Sequence, residues 1–280
     1  MDKLKIKALY YLQAMLGANC QFREGQWEAI EAIVVRRERV LLVQRTGWGK
    51  SIIYFLATKL LREQGFGPTL LISPLLSLIR NQIAMAERIG IQARTINCSN
   101  LKDWSEIEES LRCNICDILL ISPERLNNSH FVQKVLPEIA GQIGLFVVDE
   151  VHCISDWGHD FRPDYQRIKR IIQMLPPKLP VLGTTATAND RVIGDVVSQF
   201  GQNLTVLRGP LARESLRLQT IRLQNQGERL AWLVENLPKL PGSGVIYCLT
   251  VPDTERVALW LRQNGFQAEA YHAGNDRELD

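Results

Sequence analysis

The sequence predicts an α/β protein, a parallel sheet covered by helices on both faces, followed by the start of a second unit of the same kind. Three observations carry this. Short apolar, β-rich runs alternate with helix-periodic segments along most of the 280 residues. The run Leu145-Phe146-Val147-Val148 is apolar throughout and ends in Asp149-Glu150, as suits a strand buried on both faces that delivers acids from its carboxyl end. With 46% hydrophobic and 22% charged residues, the composition is that of a folded globular chain.

The elements follow in order. Helices are expected around Ile6–Leu16 and Gly25–Arg37, where Trp27, Ile30, Ile33 and Val34 recur at helical spacing. Val40–Val43 reads as a strand, Gln44–Gly49 as a polar, flexible turn, and Lys50–Leu61 as a helix. Thr69–Ser73, Ala93–Asn97, Ile118–Ser122 and Val181–Thr184 are further strands; Leu75–Ile89, Phe131–Ile139 and Asp190–Phe200 are further helices. The first domain is placed at 1–210 and the second at 211–280. Within the second, Arg229–Leu237 and Asp253–Asn264 read as helices and Val245–Leu249 and Ala268–Tyr271 as strands. Two such steps are too little sheet to bury both faces of their helices, which points to a fragment.

The formal charge of +3, from 33 basic and 30 acidic residues, identifies no nucleic-acid binder and excludes none. Six cysteines form no disulfide framework, and the Cys113/Cys116 pair has no companion pair for a zinc site. No signal-peptide run or apolar stretch of membrane-spanning length is present, so a cytoplasmic, membrane-free location is expected, nucleoid-associated in a bacterium.

The turn Thr46-Gly47-Trp48-Gly49-Lys50-Ser51, between a strand and a helix, has the chemistry that phosphate needs. Glycines expose backbone N–H groups, and the helix N-terminus adds positive potential. Lys50 can reach the β- and γ-phosphates and Ser51 can ligate Mg²⁺. Gln44 stands where the generic pattern has glycine. Asp149 can hold a hydrated Mg²⁺, and Glu150 can orient or deprotonate a water for attack on the γ-phosphate. No Gly-x-Gly-x-x-Gly turn is present, which disfavours a dinucleotide fold.

These motifs resemble those of the RecQ family of superfamily 2 DNA helicases. Phe22-Arg23-Glu24-Gly25-Gln26 is similar to its nucleotide-recognition motif, Thr46–Ser51 to motif I, Ser73–Leu78 to motif Ia, Asp149–His152 to motif II and Thr185–Ala188 to motif III. Cys153–Tyr165 is similar to the family's aromatic-rich loop, Ser122–Leu126 to a DNA-facing segment and Gly244–Cys248 to motif IV. The resemblance implies a RecA-like P-loop motor domain, followed by the beginning of a second, with ATP and Mg²⁺ as ligands. By it, Gln26 would read the adenine edge and Arg23 would support the base or its loop. Lys50, Asp149, Glu150 and His152 would be catalytic, with Thr46, Gly47, Gly49 and Ser51 around the phosphates.

Ser73, Trp157, Phe161, Arg162, Thr185 and Thr187 would sense DNA or couple it to hydrolysis; Trp157 and Phe161 offer stacking faces and Arg162 a guanidinium. The implied activity is ATP-dependent, 3′-to-5′ DNA unwinding on single strands and single-strand/duplex junctions. The alternatives are a nucleic-acid-stimulated ATPase or translocase that does not unwind, and a catalytically incomplete, nucleotide-responsive DNA-binding module.

Overall fold

The computed structural model describes residues 3–74, 83–96, 98–155, 163–210 and 216–272. The chain divides into two compact units, Met1–Glu214 and Ser215–Asp280.

The first unit is built on seven strands: β1 (Arg39–Val43), β2 (Thr69–Ile72), β3 (Ala93–Ile96), β4 (Ile118–Ile121), β5 (Leu145–Val148), β6 (Val181–Thr185) and β7 (Leu204–Arg208). They lie in the order β3-β4-β2-β5-β6-β1-β7, and every pairing is parallel. Successive residues of a strand point to opposite faces. Val40 and Leu42 of β1 therefore join one core with helices α1 (Lys3–Leu16), α2 (Gln26–Val34) and α3 (Lys50–Glu63). Leu41 and Val43 join the opposite core, to which helices Trp104–Arg112, Ile168–Met174 and Asp190–Phe200 contribute Ile107, Ile171 and Val196. Burial on both sides is the reason the central strands are apolar without alternation.

Several boundaries differ from expectation. Helix α2 stops at Val34 rather than Arg37, because Arg37 adopts a left-handed backbone (φ 56°) on the way into β1. Strand β7 was not expected. Among the described residues it pairs only with β1, and it carries the polar residues Thr205 and Arg208 instead of a wholly apolar run. Helices Trp104–Arg112 and Ile168–Met174 were also unforeseen. Of the helix expected over 75–89, residues 83–87 are helical and 75–82 lie outside the described residues.

In the second unit, helix Gln226–Asn236 is capped by Asn225, which accepts from Glu228 N at 2.9 Å. Helix Val251–Gln263 is capped by Thr250, which accepts from Asp253 N at 3.2 Å. Trp260 Nε1 donates to Leu230 O at 3.2 Å and ties the two together. The expected strands Val245–Leu249 and Ala268–Tyr271 are not formed. Val245 is 77% exposed and Leu249 fully so. An apolar run selects burial, but a parallel strand has no hydrogen bonds of its own and forms only against a neighbour; among the described residues none lies beside either run.

Phe146, fully buried in the centre of β5, tests the two-faced core. Phe146→Ala should lower the unfolding free energy by about 3–5 kcal/mol in chemical denaturation, whereas Leu249→Ala should leave it unchanged.

Candidate active site

The strand register assembles the site. Ile72 lies opposite Val148, and Val148 opposite Gly183, so Ser73, Asp149 and Thr184 leave β2, β5 and β6 at one level. Thr184 Oγ1 donates to Asp149 Oδ1 at 2.5 Å, and Ser73 Oγ donates to Asp149 Oδ2 at 3.3 Å. Tyr165 OH donates to the Asp149 carbonyl at 2.9 Å. Burial raises the Asp149 pKa above the ordinary carboxylate value; the Thr184 hydrogen bond opposes it, the neighbouring Glu150 reinforces it, and Lys50 lowers it.

The turn after β1 lies beside these groups in the sheet. Val43 pairs with Thr185, and Gln44 N donates to Thr185 O at 3.0 Å. Gly47 (φ 80°) and Gly49 (φ 99°) hold left-handed conformations that glycine adopts without strain. A Cβ on Gly49 would also stand 2.8 Å from Gln26 Nε2. Gln44 is accommodated by a second glycine: its amide lies against Gly209, where a Cβ would come within 2.4 Å of both amide heteroatoms. Lys50 Nζ folds back to donate to Gln44 O at 2.9 Å.

The amino-terminal segment fastens onto this turn. Arg23 Nη1 donates to Gly47 O. Gln26 accepts from Arg23 N at 2.9 Å and donates to Trp48 O at 3.0 Å, with Trp48 buried in the core beside α2. The Gln26 side chain, expected to present an open amide edge to a base, is instead only 2% exposed and spends both ends of its amide on the polypeptide.

A second network runs from the acids to the end of β6. Glu150, at φ 49°, is one of three non-glycine residues with a left-handed backbone among those described. Its Oε2 lies 3.2 Å from His152 Nδ1, which is 2.9 Å from Thr185 Oγ1. Thr185 Oγ1 in turn donates to Thr187 O at 2.9 Å and accepts from Thr187 N at 3.1 Å. Contact with Cys153, and then with the Glu150 carboxylate, pushes the His152 pKa up to about 10. The charged imidazole therefore contributes stability that is full below its unfolded value of 6.5 and is lost as pH rises through about 10.

Three hydroxyls of the site were not singled out from sequence. Thr184 and Tyr165 hold Asp149; Tyr54 is hydrogen-bonded to Ser51, and burial, then Asp149, holds its pKa well above 10. Tyr54 follows Ser51 by three residues, the spacing that places two helical side chains on one face, and this was the legible signal. Ser73, expected to face DNA, is fully buried and faces Asp149. Arg125, in the expected DNA-facing segment, is buried with its guanidinium 3.5 Å over the Trp104 ring. Trp157, Phe161 and Arg162 lie outside the described residues. Thr46 and Thr187 are exposed. The hydroxyl of Ser51 and the carboxylate of Asp149 are hard oxygen donors suited to Mg²⁺, and the charge of Lys50 already acts on that carboxylate.

The sequence profile of the DEAD/DEAH box helicases matches residues 23–196. The chain belongs to this family. Within it, the chain is similar to ATP-dependent DNA helicase RecQ of Bacillus subtilis, with 33% identity over 258 residues, covering 91% of this chain and 42% of the relative. It is also 33% identical over 277 residues to RecQ of Haemophilus influenzae, covering 98% of this chain and 43% of the relative. The chain thus spans about two fifths of the length of these curated relatives. Among solved structures, the DUF1998 helicase MrfA bound to DNA shares the fold with a TM-score of 0.75 at 13% identity, over 98% of this chain and 41% of its own. The DEAD-box helicase Mss116 bound to ssRNA and UDP-BeF does so with a TM-score of 0.72 at 16% identity, over 95% of this chain and 56% of its own.

The hydroxyl donors set how readily Asp149 ionises. Its raised native pKa makes ionisation costly, so stability is lost as pH rises from the unfolded carboxylate range through the native value. Thr184→Val removes the stronger donor and should move the Asp149 titration, followed by carboxyl ¹³C NMR, to still higher pH.

Proposed function

We propose that this chain carries the ATP-hydrolysing motor unit of a RecQ-like DNA helicase, acting in the whole protein on single-stranded DNA and single-strand/duplex junctions with 3′-to-5′ polarity. The observation that carries the reading is the convergence at one sheet edge of a phosphate-binding turn, a hydroxyl-held acid and a second acid linked to the end of β6.

The backbone N–H groups of the turn and Lys50 bind the phosphates, for which Lys50 exchanges its contact with Gln44 O. Ser51 and Asp149 would hold Mg²⁺, which when bound would supply positive charge near the phosphates. Glu150 accepts the proton of the attacking water. Its left-handed backbone fixes where that carboxylate starts, and the imidazolium of His152 limits where it can go. Arg23 and Gln26 act on the nucleotide through the turn they grip, and the adenine edge would draw on the Gln26 amide at the expense of Trp48 O.

Communication with DNA follows the second network. When the γ-phosphate leaves, Glu150 loses a neighbour, and its contact with His152 passes that change to Thr185 and Thr187. Trp157, Phe161 and Arg162, which follow His152 closely in sequence, supply stacking faces and a cation for a single strand.

The test is steady-state ATP hydrolysis without nucleic acid, with single-stranded DNA and with matched RNA. Glu150→Gln should retain ATP binding while slowing turnover by about 100-fold or more, and Lys50→Ala should lose both. Unchanged turnover in Glu150→Gln would remove Glu150 as the base, and an equal response to DNA and RNA would remove DNA as the specific track. The paired prediction concerns coupling: Thr185→Val should weaken stimulation by DNA more than it weakens turnover without DNA.

A further inference from the structure

A cavity of about 490 Å³ lies at the amino edge of the sheet, the edge opposite the phosphate-binding turn. Six of its lining residues stand one to three positions before a strand: Arg37 before β1, Phe66 and Gly67 before β2, Ile143 before β5, and Lys178 and Leu179 before β6. Among the described residues, none that lines it is acidic.

Arg37 is held there at some cost. Its left-handed backbone (φ 56°) is a conformation that favours glycine. Its guanidinium lies 3.9 Å over the Phe66 ring, and its Nη1 is buried without a hydrogen-bond partner. Among the described residues neither Arg37 nor Lys178 has a carboxylate within ion-pair distance, in contrast to the cations around them. Arg36 pairs with Glu31 and Glu38, and Arg62 with Asp117 at 2.6 Å. Asp117, the nearby acid of that ion pair, also accepts from Gln92 N at 2.8 Å. A buried donor with no acceptor is unfavourable, and strain of this sort collects where a ligand supplies the missing partner.

The floor is equally particular. A Cβ on Gly67 would stand 1.7 Å from Gln142 O, and one on Gly144 would stand 2.5 Å from Gly67 O. Two loops therefore meet backbone to backbone, with Gly144 N donating to Pro68 O at 2.9 Å. That close approach leaves a concave wall whose carbon surface comes from Phe66, Ile143 and Leu179. The volume falls in the range of small-molecule sites, about 300–1,000 Å³.

We propose that this cavity binds a small organic oxyanion, with the anionic group on Arg37 and Lys178 and an apolar or flat body against Phe66, Ile143 and Leu179. An anion seated on the guanidinium would supply the acceptor that Nη1 lacks. Phosphate and carboxylate share the chemistry that Arg37 offers, two acceptor oxygens for a forked donor. The site is separate from the nucleotide site, since it uses the opposite ends of the same strands.

Isothermal titration calorimetry with inorganic pyrophosphate and with citrate tests this, with Lys50→Ala as the background so that the phosphate-binding turn contributes little. Arg37→Gly is the decisive variant, because glycine accepts the left-handed backbone and the fold is retained; its melting temperature should equal or exceed that of the parent. At least one probe should bind saturably, and Arg37→Gly should weaken it by about tenfold or more. Binding of pyrophosphate alone would assign a phosphate ligand, and binding of citrate alone a carboxylate. Saturable binding by neither probe, or equal affinity in the parent and in Arg37→Gly, would overturn the proposal.

Discussion

The carboxylate of Asp149 is the point on which the site depends. A charged group drawn out of water is stable only if its lone pairs are met by donors. Here the donors come from other strands, Ser73 at the end of β2 and Thr184 near the end of β6. Neither hydroxyl would reach the acid if a strand slipped by one residue, because such a slip turns every side chain to the other face. The apolar pairs beneath, Ile72 with Val148 and Val148 with Gly183, thus fix the chemistry above them. Packing sets register, register sets hydrogen bonding, and hydrogen bonding sets the acid's readiness to ionise.

The turn after β1 is restrained from the other side. Arg23 and Gln26 grip its carbonyls, and Trp48 packs in the core that the amino-terminal helices form. On the proposed reading, a nucleotide that draws on the Gln26 amide would exchange a contact made by the first residue of α2. Gln44 illustrates how such a turn tolerates change. A long side chain where the generic pattern has glycine is housed by the absence of a side chain at Gly209, so the turn's conformation depends on a residue 165 positions later in the chain.

What could be read from sequence follows from this division. The central strands were legible because burial on both faces leaves an apolar run, and Lys50-Ser51 and Asp149-Glu150 were legible because contiguous residues carry their chemistry. Strand β7 is not legible as a wholly apolar run because Thr205 and Arg208 interrupt it, although the other edge strand, β3, is read from an equally mixed run. Val245–Leu249 was over-read because apolarity implies a neighbour that the run itself cannot supply. Thr184 reaches the site through strand register, Tyr54 through helical spacing and Tyr165 from the short helix Pro163–Arg167, so no contiguous run marks them. The burial of Gln26 and Ser73 was hidden for the same reason: each residue's type was evident, but the direction its side chain takes depends on the loops and strands beside it.

The most direct test of the account is equilibrium binding of a fluorescent ATP analogue with and without Mg²⁺, compared between the parent chain and Asp149→Asn. Substitution by the isosteric amide removes the charge while leaving the strands in place. If Asp149 is the acid that the sheet register prepares for the cation, Mg²⁺ should tighten nucleotide binding in the parent and have little effect in Asp149→Asn. The same Mg²⁺ dependence in both would contradict it.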